Sequence, residues 1–196
     1  EQQLARRFDA ALAHLQQRID AIKRAEQSGE LDVVQRKLLL CQTLEAAIAQ
    51  TATDRNVSQD WAVEWAALAP LAAPLERALQ TRFSAALTAL TAADDSAYAA
   101  ILENNRIQLG QELLRLEILL GCDSPPALSR ERLRMQVEVL QSSLRAGQLQ
   151  MTQQEQLAAL CALPAATDAQ SVERIAVLLQ KMKKTCKNCK LSLKTS

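Results

Sequence analysis

The sequence predicts an all-α protein built from tandem antiparallel helical hairpins, elongated and partly coiled-coil-like, with a small C-terminal helical subdomain. Three observations predict it. Ala, Leu and Gln dominate the 196 residues, while there are only 4 Gly and 5 Pro. Aromatic residues make up 3%, and β-branched runs that would favour strands are lacking. Apolar residues recur every three or four positions through most of the chain, which is the period of a helix face.

The first helix is expected over about residues 2–28. Phe8, Leu12, Leu15, Ile19 and Ile22 are spaced 4, 3, 4 and 3, a heptad seam. Ser28-Gly29 supplies a stop, because glycine suits a left-handed C-terminal cap. The seam is too short to stand as a free coiled coil and is expected to pack on a neighbour. A second helix over about 32–50, with Val34, Leu38, Cys41, Leu44 and Ile48, provides one, and the pair forms an antiparallel hairpin.

Residues 51–57 are polar and predict a loop. Ser58 or Asp60 then caps a short helix holding Trp61, Trp65 and Leu68, closed by Ala69-Pro70. Pro74 suits the start of a fourth helix with Leu75, Leu79, Phe83, Leu87 and Leu90. Asp94, Asp95 or Ser96 ends that helix and caps a long fifth one, about 96–120, with Tyr98, Leu102, Leu109, Leu113, Leu116 and Leu120. Gly121 and Pro125-Pro126 stop it. A sixth helix runs from Ser129 to Gly147 with Leu133, Val137, Leu140 and Leu144. Thr152 to Glu155 reads as a capping box opening a seventh helix with Leu157, Leu160 and Leu163, which Pro164 ends. Asp168 caps an eighth with Val172, Ile175, Leu179 and Met182, followed by a basic tail expected to be frayed.

The chain repeats itself. Arg7 to Leu15 (RFDAALAHL) matches Arg82 to Leu90 (RFSAALTAL), and Leu40-Cys41-Gln42-Thr43-Leu44 matches Leu109-Gly110-Gln111-Glu112-Leu113. The organisation expected is the end of a first repeat over 1–50, a second repeat over 51–122, the C-terminal subdomain over 123–184 and a flexible basic tail over 185–196. In such arrays each unit needs neighbours to bury its stripe.

Trp61 and Trp65, Leu68 and Pro70, then Leu75-Glu76 and Leu79, then Arg82-Phe83 and Ala85-Ala86-Leu87 together resemble the bacterial domain of unknown function 349. Leu114 to Leu119, Ser124-Pro125 and Leu133 to Val137 are similar to the C-terminal region of its long members. Ala69 stands where that domain often has Gly, and Gln80 near a position often aromatic. The resemblance implies a helical, cytoplasmic bacterial protein and supplies no catalytic residues.

Charge adds a second theme. The net charge is +1, but six of the 23 basic residues lie in 181–196, leaving 17 against 22 acids elsewhere. A mildly acidic body does not suit a general nucleic-acid binder. No run is long and apolar enough for a membrane span, so no membrane partner is expected. The chain opens on Glu1 rather than Met, which leaves room for a leader or further domains ahead of it. Five cysteines, with Cys41, Cys122 and Cys161 isolated in apolar contexts, point to a reducing cytoplasm.

Chemistry is thinly represented. His14, the one histidine, sits beside the seam on an exposed flank with no acid–nucleophile pattern around it. Cys186-Lys187-Asn188-Cys189 is a lone CxxC, half of a zinc site or a redox pair at most, and ordinary thiols otherwise. Asp94-Asp95 suits a helix start. No phosphate loop or hydrolase motif is present. No enzyme activity, cofactor or metal is expected.

The expected function is therefore a non-enzymatic scaffold or adaptor with an unidentified protein partner and scope for self-association. Its candidate partner-binding residues are Trp61, Trp65, Arg7 and Arg82. For each, a structural role stands beside the functional one: the tryptophans as packing for the short helix, the arginines as stems over apolar neighbours. The alternative is a nucleic-acid- or ribosome-associated helical protein using Arg18, Lys23 and Arg24 of the first helix with Lys183, Lys184 and Lys187 of the tail. The tail lacks the aromatics that base stacking needs, so contact with nucleic acid there would be electrostatic and weak.

Overall fold

The fold is all-α, as the periodicity predicts. The computed structural model describes residues 2–49, 60–92, 95–146 and 153–188. The elements run α1 (Gln2–Ala49), α2 (Trp61–Ala66), α3 (Ala73–Thr91), α4 (Ser96–Asn104), α5 (Arg106–Leu120), a 3₁₀ turn (Pro126–Leu128), α6 (Ser129–Ala146), α7 (Gln153–Ala162) and α8 (Ala169–Asn188).

The predicted hairpin does not form, and residues 2–49 make one continuous helix. Gly29 does not adopt the left-handed cap, since the one positive-φ glycine among the described residues is Gly121. Mid-helix glycine costs about 1 kcal/mol relative to Ala. The flanking Glu26, Gln27, Glu30 and Leu31 are good helix formers and carry the helix through it. Ile22 and Leu31 are nine residues distant, and at about 100° per residue they lie on opposite sides of the helix. The later stripe (Val34, Leu38, Cys41, Leu44 and Ile48) is buried as expected, whereas the earlier seam faces solvent.

One core joins most of the chain. Buried side chains from α1 to α5 and from α7 and α8 form a single cluster. α1 packs on α3 and α8, and α7 packs on α3 and α5. Helices α7 and α8 therefore complete the main core and do not form a separate subdomain.

The other elements follow local rules. Asp60 Oδ1 accepts the Val63 N–H at 3.2 Å and caps α2, and Pro74 lies in the first turn of α3. Gly121, at φ 61°, closes α5, with the Cys122 N–H on the Glu117 carbonyl at 2.8 Å. Asp168 Oδ1 accepts the Ser171 N–H at 2.7 Å and caps α8.

The expected long fifth helix is broken at Asn105. In an uninterrupted helix the Leu102 carbonyl would accept from Arg106. Here it takes the Ala166 N–H at 2.9 Å, and Asn105 Nδ2 donates to the Pro164 carbonyl at 2.8 Å. The loop after α7 thus enters the hydrogen-bond ladder and divides α4 from α5.

Two further expectations change. The α6 stripe is not core: Leu133, Val137 and Leu140 are exposed and Met135 is buried instead, because α6 packs chiefly on α5 and the 3₁₀ turn. The start of the lysine-rich segment belongs to α8, which continues to Asn188. Residues 51–57, Ser58, Asp94, Gly147, Thr152, Cys189, Lys190 and Lys194 lie outside the described residues.

Candidate interaction surface

Several interior positions are charged. Lys37, Glu45, Arg82 and Glu117 are all buried. Arg82, on α3, donates through Nε and Nη2 to the two carboxylate oxygens of Glu45 on α1, at 2.6 and 2.7 Å. Its Nη1 donates to the Leu160 and Cys161 carbonyls at 3.4 and 3.3 Å, in the last turn of α7. Cationic groups are favoured at that end of a helix. Burial opposes the charge on Arg82, but the paired carboxylate outweighs it and holds the guanidinium above its ordinary value. Burial also pushes the Cys41 and Cys161 thiols and the Tyr98 hydroxyl up to about 12.

Lys37 makes the second pair. Its Nζ donates to both oxygens of Glu76, at 2.6 and 2.7 Å, and lies 4.8 Å from the centre of the Trp65 ring. Trp65 stacks on Phe83 at 4.2 Å and donates from Nε1 to Gln80 at 2.7 Å. A third pair joins Arg174 Nε of α8 to Glu117 Oε1 of α5 at 2.7 Å.

The predicted site residues therefore divide into two groups. Trp61, Trp65 and Arg82 are inside, committed to the core, so neither an exposed aromatic shelf nor a free Arg82 is available. Arg7 and Arg82 match in sequence but not in setting, since Arg7 and Phe8 are exposed where Arg82 and Phe83 are buried. Lys183 also turns inward, donating to Asp32 and Gln35 at 2.6 and 2.8 Å. Lys184 is exposed, and Lys187 falls within α8. Arg18 and Lys23 are exposed on α1, with Arg24 half-buried.

Sequence reasoning misses Lys37 and Glu45. A signal was available, because both fall among Val34, Leu38, Cys41, Leu44 and Ile48 on the buried face of α1. An ionic residue within such a stripe calls for a partner of opposite sign.

What projects from this body is the N-terminal part of α1. Every residue from Arg6 to Ile19 is exposed. The seam side chains Phe8, Leu12, Leu15, Ile19 and Ile22 are 65, 49, 54, 45 and 57% exposed. Single exposed apolar side chains are ordinary, but a contiguous row at heptad spacing marks an interaction face. Gln16 to Asp20 is an internal hydrogen bond on the flank of this row, at 3.0 Å. Where the arm enters the body, a cavity of about 400 Å³ opens between α1, α3, α7 and α8, lined by Leu31, Val34, Leu75, Leu157 and Met182.

Among the described residues no cluster of metal-ligating side chains occurs, and no helix is long and apolar enough to cross a membrane. No protein-family model, curated protein or solved structure matches this chain.

Proposed function

We propose that the chain is a non-enzymatic helical adaptor that holds another protein through the projecting half of α1. The observation that carries this reading is the exposed heptad row from Phe8 to Ile22, on a helix whose other half is fixed in the core. The body supplies rigidity and the arm supplies apolar contact area. The buried charges support the reading too, because Lys37, Glu45, Arg82 and Glu117 are engaged with one another or with fixed partners. A cytoplasmic setting is part of the proposal, supported by the free thiols of Cys41, Cys122 and Cys161. Membership of the domain of unknown function 349 family is proposed too, on the sequence resemblance of Trp61 to Leu87 alone.

The arm's charges favour protein over nucleic acid. Arg6, Arg7, Arg18, Lys23 and Arg24 are interleaved with Asp9, Asp20 and Glu26. A phosphate backbone calls for one sign of charge. The test is affinity capture from bacterial lysate with and without nuclease, using the chain and its Leu15→Asp variant. Nuclease-resistant partners lost with Leu15→Asp are expected. Partners that vanish with nuclease and ignore Leu15→Asp would overturn the reading.

A further inference from the structure

The arm's exposed row is flanked by charges that distinguish between registers of pairing with itself. Taking Leu12 and Ile19 as a positions and Phe8, Leu15 and Ile22 as d positions, the flanking e positions are Asp9, Gln16, Lys23 and Glu30. The g positions include Ala11, Arg18 and Ala25. Flanking charges set partner choice and orientation in coiled coils.

Three pairings can be compared. A parallel, in-register pair sets Arg18 against the partner's Lys23, twice. An antiparallel pair with Leu12 on the partner's Leu15 and Phe8 on the partner's Ile19 leaves Asp9 beside the neutral Gln16 of the partner, and in the outer b row sets Arg6 near the partner's Lys23 and Asp20 near the partner's Asp9, twice each. Shifted by one heptad, Leu15 meets the partner's Ile19, Leu12 meets the partner's Ile22, and Phe8 lies over the stem of the partner's Glu26. Asp9 then meets the partner's Lys23, and Arg6 meets the partner's Glu30, each twice. Its one like-charge approach is Arg18 to the partner's Arg18 at the two-fold axis. Glu30 already accepts the Ala72 N–H through one oxygen at 3.1 Å, which leaves the other for Arg6.

We infer that the arm pairs with the arm of a second copy in this antiparallel register, giving a dimer with one helical body at each end. Area agrees. The exposed parts of the five seam side chains amount to roughly 500 Å² per chain, so about 1,000 Å² between two copies, the lower limit for a specific interface. At 1.5 Å per residue the two Leu31 positions, where α1 becomes buried, are held about 40 Å apart. The inference rests on the reading of the arm as an interaction face and names its occupant.

The experiment is sedimentation of the 196-residue chain over about 1 to 500 µM, a range suited to a marginal interface. A monomer–dimer equilibrium is expected. Ile19→Asp is expected to weaken the dimer by roughly 100-fold while the thermal melt of the body stays in place, since Ile19 lies outside the core. Asp9→Lys and Lys23→Asp are each expected to weaken it about tenfold, and the double exchange to restore it. A monomer at every concentration, a larger oligomer, or association indifferent to Ile19→Asp would overturn the inference. Tighter association on Lys23→Asp would also overturn it, as the parallel pair requires that result. If the chain is monomeric yet captures a Leu15-dependent partner, self-pairing fails and the adaptor reading stands. If capture also ignores Leu15→Asp, both fail.

Discussion

Arg82 and Glu45 meet through two parallel hydrogen bonds of 2.6 and 2.7 Å, both side chains closed to water, where α1, α3 and α7 converge. The geometry is a planar fork on a planar carboxylate, the arrangement that lysine cannot reproduce. A buried pair of this kind adds little net stability, but removing one member leaves a charge stranded. Arg82→Met is expected to destabilise the fold by about 3–5 kcal/mol, and Arg82→Met with Glu45→Leu to recover most of that loss. Urea melts of the singles and the double measure it.

Trp65 carries both a stack and a hydrogen bond. Trp65→Phe keeps a ring against Phe83 but loses the bond to Gln80 and the indole beneath Lys37, at a cost of about 1–2 kcal/mol. Trp65→Ala removes the whole contact and is expected to cost about 3–5 kcal/mol. Thermal melts of the two variants should separate by that difference.

Gly29 interrupts nothing, and a methyl group added there would meet no atom within 4 Å. Gly29→Ala is expected to stabilise α1 by up to about 1 kcal/mol, and Gly29→Pro to break it at the root of the arm. Hydrogen exchange of the amides from Arg18 to Gln27 reads both effects, slower in the first and faster in the second.

Acid should weaken the fold partly through Glu76. Burial pushes its carboxyl up, but the hydrogen bonds from Lys37 and the Leu71 N–H together outweigh this and leave it below its ordinary 4.5. A depressed carboxyl contributes stability above its unfolded value and loses it as pH falls through the folded one. Stability is therefore expected to fall as pH drops below about 4.5. Glu76→Gln should be less stable at pH 7 and show a flatter profile in that acid window. An unchanged slope would remove Glu76 from the account.

Cys41 and Cys161 are buried, with their thiols pushed up to about 12. At pH 8 almost none of either is thiolate, the reactive form. Both are expected to resist a thiol reagent until the protein unfolds, so their labelling rate should follow denaturant concentration. Mass spectrometry of labelled peptides distinguishes them from Cys122.

The helical content and the buried stripes were legible because they depend on a period of three to four residues, visible locally in Val34, Leu38, Cys41 and Ile48. Caps were legible at Asp60, Gly121 and Asp168 for the same reason. The long-range decisions were not. Whether Gly29 stops a helix depends on which surfaces are waiting for the two stripes, and the sequence of α1 is compatible with a hairpin or a rod. The break at Asn105 depends on an N–H from Ala166, some sixty residues later. The repeat misled in a related way. Arg7-Phe8 and Arg82-Phe83 share letters, but burial is decided by what stands opposite, and Phe83 has Trp65 while Phe8 has solvent. For the candidate surface, the seam itself was legible and its exposure was not.

The unbroken α1 makes the molecule a lever. Its short end, Leu31 to Ile48, is clamped between α3 and α8, and its long end carries Phe8 about 35 Å beyond the clamp at 1.5 Å per residue. A tilt of about 5° in the clamped segment sweeps Phe8 through roughly 3 Å, close to a full side-chain contact distance. Small adjustments among the side chains around Glu45 and Arg82 are thereby magnified at the tip, and a load on the tip is delivered to those same side chains.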